Sequence, residues 1–183
     1  GYTNGTTFSC VKTPAGGSAG APTDVTSITL ANGDSAVCSI TNNDNPPSLT
    51  LNKIVVNDNG GTRTESEWTL TANGGTAGTL SGAGASGSAD VVSGSGFKAG
   101  TYALSESGTY AGYTNGTTFS CVKTPAGGSA GAPTDVTSIT LANGDSAVCS
   151  ITNNDDAPRL KVVKACVPAT DTGKFNQIGR AHV

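Results

Sequence analysis

Three polar side chains fall in phase with apolar neighbours on segments that alternate like strands. In 48–56, SLTLNKIVV, the residues Leu49, Leu51, Lys53 and Val55 share one face. In 100–107, GTYALSES, Tyr102, Leu104 and Glu106 do the same, and in 146–153 so do Ala147, Cys149, Ile151 and Asn153. An isolated charge inside a protein is costly, so such residues are paired or lie outside the core. One arrangement uses all three. If they converge, burial favours the neutral form of the amine and of the acid. The Lys53 amine then attacks the Asn153 carboxamide. Glu106 polarises the carbonyl and carries protons, ammonia leaves, and an isopeptide bond ties the first strand to the last. Proximity within a fold is sufficient to drive one such turnover without an outside enzyme. In the plainer reading the three sit at strand ends and reach water, with a weak Lys53–Glu106 ion pair. Asn154 is a second acceptor by type, but the pleat turns it away from the face of Ile151.

The cysteines form a second chemical set: Cys10, Cys38, Cys121, Cys149 and Cys166. Cys121 and Cys149 each alternate with apolar residues (Phe119 and Ile151), so both point inward. A Cys121–Cys149 bridge closes a loop worth roughly 3–4 kcal/mol on the chain-entropy model. Cys10–Cys38 is the same bridge in an earlier copy, and Cys166 is left unpaired. Buried free thiols are the alternative. No CxxC or histidine partner supports a metal site, and no cofactor is expected. Disulfides imply an oxidising, extracytoplasmic setting.

The elements that position these residues are strands. Besides the three above, 66–72, 89–92, 117–123 and 136–142 carry alternation or β-forming residues. Asn143-Gly144-Asp145 between the last two segments is a tight-hairpin signal. The stretch 82–96 reads as loop or weak edge strand, having little apolar surface. Seven short strands predict an all-β sandwich of the immunoglobulin-like kind. Trp68 is its expected core anchor.

Self-comparison sets the organisation. Residues 1–44 recur unchanged at 112–155, a period of 111 residues, and Leu49-Thr-Leu-Asn-Lys53 aligns with Leu160-Lys-Val-Val-Lys164. The chain reads as a tandem array truncated at both ends. Residues 1–46 are the C-terminal part of one unit, 47–156 a complete unit, and 157–177 the start of a third. Residues 178–183 read as a non-native tail, and His182 within it takes no role. The partial copy 1–46 is expected to be loosely packed or to pair with an edge of the complete unit.

Thr101-Tyr-Ala-Leu-Ser-Glu106, followed by Gly112-Tyr113, resembles the "E-box" of CnaB/SpaA-type domains, the prealbumin-like (transthyretin-like) modules of bacterial surface proteins and pilins. Lys53 and Asn153 stand where that family keeps its reactive lysine and asparagine. The resemblance covers the complete unit and implies a seven-strand sandwich, a bacterial cell-surface or cell-wall location, and a stalk or adhesin role. This chain departs from the pattern in three ways. It lacks the Lys-x-Asp after the first strand, it lacks the Pro before Gly-Tyr, and it adds a cysteine pair.

Composition limits the other functions. One histidine, 13% charged residues and 26 glycines leave little acid–base machinery for an external substrate. A net charge of −3 without a basic run argues against nucleic-acid binding, and no apolar run is long enough to span a membrane. Asn57-Asp-Asn-Gly-Gly61 reads as a turn rather than a calcium loop. Asn4 and Asn115 begin Asn-Gly-Thr glycosylation patterns. The expected role is a structural spacer whose partners are neighbouring repeat units. The alternative is an adhesive module that binds a host glycan or matrix protein, a host surface ligand, through its loops.

Overall fold

The computed structural model describes residues 1–85 and 91–163. Cys166, the aligned Lys164 and the tail lie outside the described residues, as does part of the expected strand 89–92. The chain forms β1 (Tyr2–Thr3), β2 (Phe8–Thr13), β3 (Thr23–Val25), β4 (Ser35–Ser39) and β5 (Asn43–Asp44). It continues through β6 (Ser48–Val56), β7 (Thr69–Asn73), β8 (Thr79–Ala83), β9 (Gly100–Ser107) and β10 (Tyr113–Thr114). The last elements are β11 (Phe119–Thr124), β12 (Thr134–Val136), β13 (Ser138–Leu141) and β14 (Ser146–Asp155).

From β6 onward two sheets enclose one core. One runs β10-β14-β11-β12 with β6 added to β14; the other runs β13-β9-β7-β8. Their inner faces bury Leu49, Leu51, Leu70, Tyr102, Leu104, Phe119, Ile139, Leu141 and Ile151. These are the alternating apolar residues of the sequence, and period-two alternation delivers them to one face of each strand. The first and last strands, β6 and β14, are parallel neighbours, with Ser146 opposite Ser48 and Asn154 opposite Val56.

Four local expectations change. Asn143-Gly144-Asp145 does turn the chain, with Gly144 at φ 79° and Asp145 N–H bonded to Ala142 O at 3.1 Å. It does not close a hairpin, because β13 pairs with β9 while β14 pairs with β11 in the other sheet. Turn residues specify a reversal, not which neighbour the strands then choose. The expected single strand 136–142 is split: β12 pairs with β11, β13 pairs with β9, and the chain changes sheets at Thr137. The start of 66–72 is a 3-10 turn at Glu65–Glu67, held by Thr64 N–H donating to Glu67 Oε2 at 2.8 Å. Finally, β8 was not expected. Its TLSGA carries a single large apolar residue, so alternation is silent, and it exists because β7 offers it a five-residue antiparallel ladder.

The copy at 1–46 forms a three-stranded sheet, β3-β2-β4, and a small β1-β5 pair. Among the described residues no ladder joins it to an edge of the later unit, contrary to one expectation. It touches that unit at the turn before β14, where Asn143 Nδ2 donates to Asp44 Oδ2 at 3.3 Å and Gly1 lies against Asn143 and Gly144.

Candidate functional site

Lys53, Glu106 and Asn153 meet in the interior. Lys53 comes from the middle of β6, Asn153 from the same face of the parallel neighbour β14, and Glu106 from β9 across the core. Ile151 lies directly opposite Lys53 in the ladder, so Asn153 stands one inward position further along. Lys53 Nζ is 2.8 Å from Glu106 Oε1, with the two side chains 0% and 4% exposed. Asn153, also fully buried, donates from Nδ2 to Glu106 Oε2 at 2.9 Å. The glutamate therefore bridges the amine and the amide. The arrangement is not the strand-end one in which these residues reach water.

The surroundings finish the site. The Trp68 ring is fully buried and lies 5.2 Å from Lys53 Nζ, packing an aromatic face against the amine. Tyr110 and Tyr113 stand edge-on to that ring at 5.0 and 5.7 Å. Burial pushes the Lys53 amine below the usual lysine range, opposed by Glu106 and Glu65, which pull it upward. Gly84 passes so near that a Cβ there would stand 2.5 Å from Lys53 Cβ.

Two residues that sequence reading did not assign to the site complete it. Gly116 N–H donates to Asn153 Oδ1 at 2.8 Å. Asn115 Oδ1 accepts from Asn153 Nδ2 at 3.1 Å, while its own Nδ2 donates to Gly108 O at 2.7 Å. Glu106 thus faces the nitrogen of the carboxamide, and a backbone amide faces its oxygen, which differs from the carbonyl-polarising role expected for Glu106. Asn115-Gly116 was visible only as a glycosylation pattern. The link to Asn153 is a tertiary contact that no local spacing encodes.

The cystine Cys121–Cys149 lies on the same sheet, joining residues directly opposite on β11 and β14 with Cα atoms 4.0 Å apart. Cys10–Cys38 repeats it on β2 and β4. At the far end of β14, Asp155 gathers the backbone N–H groups of Asp58, Asn59 and Gly61 at 3.0, 2.9 and 2.6 Å. Those hydrogen bonds hold its carboxyl below the usual range although its burial works the other way. The loop 57–61 therefore offers amide donors to an anion, the reverse of a calcium site. Among the described residues no cluster of three or more His, Cys, Asp or Glu is placed to hold a metal, and no helix is long and apolar enough to cross a membrane.

A family described as a prealbumin-like fold domain, of SpaA type, matches residues 44–151. No curated protein and no solved structure matches the chain.

Proposed function

The chain belongs to the SpaA-type prealbumin-like fold domain family, and from that premise we propose that it is a load-bearing spacer of a bacterial surface or secreted protein. Its units repeat in tandem and are locked internally by cystines and by a Lys53–Asn153 isopeptide bond. The observation that carries the cross-link is the dry Lys53–Glu106–Asn153 cluster between the first and last strands.

The chemistry follows from the contacts. The Lys53 ammonium passes a proton to Glu106 across their 2.8 Å contact, and burial favours the neutral amine. The amine nitrogen attacks the Asn153 carbonyl carbon. The Gly116 N–H is placed to hold the developing oxyanion. Glu106, already on Nδ2, passes that proton to the leaving nitrogen and then takes the second proton of the attacking nitrogen, so that the neutral amide forms, ammonia leaves and the acid ends protonated. One N–C bond forms, one breaks, and one ammonia departs.

Intact-mass measurement of the purified, reduced chain tests this reading. The expected mass is lower than the sequence mass by one ammonia, and the Asn153→Ala variant shows no such deficit. A folded chain that retains the full mass has no cross-link.

A further inference from the structure

We propose that Asn115 takes part in the cross-linking reaction: it fixes which way round the Asn153 carboxamide faces and holds the nitrogen that leaves. This role rests on the Lys53–Asn153 cross-link proposed above and adds a residue to it beyond the amine, the acid and the amide.

A carboxamide has nearly the same shape either way round, so its partners decide its orientation. Two backbone groups decide it here, acting through two side chains in series. Gly108 C=O can only accept, so the Asn115 atom that faces it at 2.7 Å is Nδ2. That leaves Asn115 Oδ1 toward Asn153, where it accepts from Nδ2 at 3.1 Å. From the other side the Gly116 N–H can only donate, and it meets Asn153 Oδ1 at 2.8 Å. Glu106 does not make the choice. Its carboxylate accepts from Asn153 Nδ2 at 2.9 Å, but once it carries the lysine proton it can donate to an oxygen as readily as accept from a nitrogen. Turned over, the carboxamide would set Nδ2 against the Gly116 N–H and Oδ1 against Asn115 Oδ1, two mismatched contacts. Asn115 and Gly116 therefore keep the leaving nitrogen on the acid through the step in which the acid is protonated.

The fold builds this hold before any reaction. Asn115 follows β10, and Gly108 follows β9, the strand that carries Glu106. Asn115 thus ties the exit of the acid's strand to the amide on β14. Gly108 takes φ 113°, a backbone conformation open to glycine. At Gly116 a Cβ would stand 2.6 Å from Thr152 O and 2.8 Å from Ile151 Cγ1, so glycine lets the N–H come this close to Asn153. The same contact recurs one period earlier, where Gly5 N–H donates to Asn42 Oδ1 at 2.9 Å. It forms there without Lys53 or Glu106, so the local chain sets it.

Asn115 contributes most as the C–N bond breaks. In the resting amide Nδ2 is planar and weakly basic. When the Lys53 nitrogen adds to the carbonyl carbon, Nδ2 becomes a basic amine and takes the proton from Glu106. Its hydrogen bond to Asn115 Oδ1 then comes from a charged donor and strengthens. That gain is made in the transition state rather than in the resting amide, which is the kind that accelerates a reaction. Asn115 forms no covalent bond and exchanges no proton. Ammonia leaves with the two hydrogens of the carboxamide and one from Glu106.

Unreacted full chain, recovered in denaturant and refolded by dilution, tests the proposal when sampled over time by intact mass. Asn115→Ala is expected to lose ammonia about ten- to a hundredfold more slowly than wild type, the worth of one hydrogen bond to a charged group. A second pair, Lys53→Met and Lys53→Met/Asn115→Ala, cannot react and reads positioning apart from rate. By NMR, both Asn153 side-chain amide protons of Lys53→Met are expected to exchange slowly with solvent. Adding Asn115→Ala is expected to free one of them while the Cys121–Cys149 bond is retained. Equal rates of ammonia loss in wild type and Asn115→Ala overturn the proposal and leave the cross-link standing. A slower Asn115→Ala whose Asn153 protons stay as protected as in the parent also overturns it, because the loss then comes from the fold. A wild type that never loses ammonia removes the cross-link, and this role with it.

Discussion

At the scale of single residues, the buried polar cluster concentrates both the energetic risk and the chemistry. Among the described residues, Glu106 is the one acid within reach of the Lys53 amine and the Asn153 amide together. Replacing it with alanine leaves a lysine inside the protein without a counter-charge. The expected loss is about 3–5 kcal/mol, the usual cost of orphaning one member of a buried pair, read from urea unfolding of the reduced protein. The same variant is expected to keep the full sequence mass, because no group then carries the proton between amine and leaving nitrogen. Gly84→Ala probes the packing instead of the charge. Its Cβ would meet Lys53 Cβ at 2.5 Å and Glu65 O at 2.9 Å, so β8 or the lysine must shift. A destabilisation of about 1–3 kcal/mol is expected from that overpacking, with slower loss of ammonia in a time course after refolding.

At the scale of elements, the turn before β14 is pinned by Asp145, which accepts from Ala142 N–H, Ala126 N–H and the Lys123 ammonium. Lys123 and those amides lower its pKa from 3.8 to about 2. A carboxylate depressed in the folded state contributes stability above its unfolded pKa and loses that contribution as pH falls through the folded one. The Asp145→Asn variant is therefore expected to be less stable than wild type at neutral pH. The difference should shrink between pH 3.8 and about 2, as followed by thermal melts across that range. The two cystines make a second comparison, since equal sequence is met by unequal cover. Cys149 is fully buried, whereas Cys38 lies exposed on the open strand. Access governs thiol exchange, so mild reductant followed by alkylation and peptide mapping is expected to label Cys10 and Cys38 well before Cys121 and Cys149. Sequence legibility divides along the same line. β6 and β9 were readable to the residue because each alternates over eight or nine positions, and that phase already placed Lys53 and Glu106 inside. β8, the sheet change at Thr137 and the Asn115–Asn153 contact were not readable. β8 pairs with the adjacent β7 but is Gly-, Ser- and Thr-rich and carries no alternation of its own, while the other two are decided by partners distant in sequence.

At the scale of the whole molecule, topology determines how the unit meets tension. A pull on the two ends of the unit enters β6 at Ser48 and leaves β14 at Asp155. Those strands are parallel neighbours over nine residue pairs, so the load falls along their ladder and its hydrogen bonds are sheared together. The proposed bond from Lys53 to Asn153 would carry that load covalently and withhold the chain between them, about 100 residues, or roughly 360 Å of extended length. Cys121–Cys149 by itself withholds only the loop between residues 28 apart in sequence. Stretching single molecules by their termini separates these contributions. Wild type is expected to show no unfolding step from this unit beyond the short stretches outside the cross-link. Oxidised Asn153→Ala should release the unit less the cystine loop, and reduced Asn153→Ala should release all of it. A wild-type chain that extends fully under reductant would show that hydrogen bonds alone carry the force, and the cross-linked account of the spacer would then fail even with the fold intact.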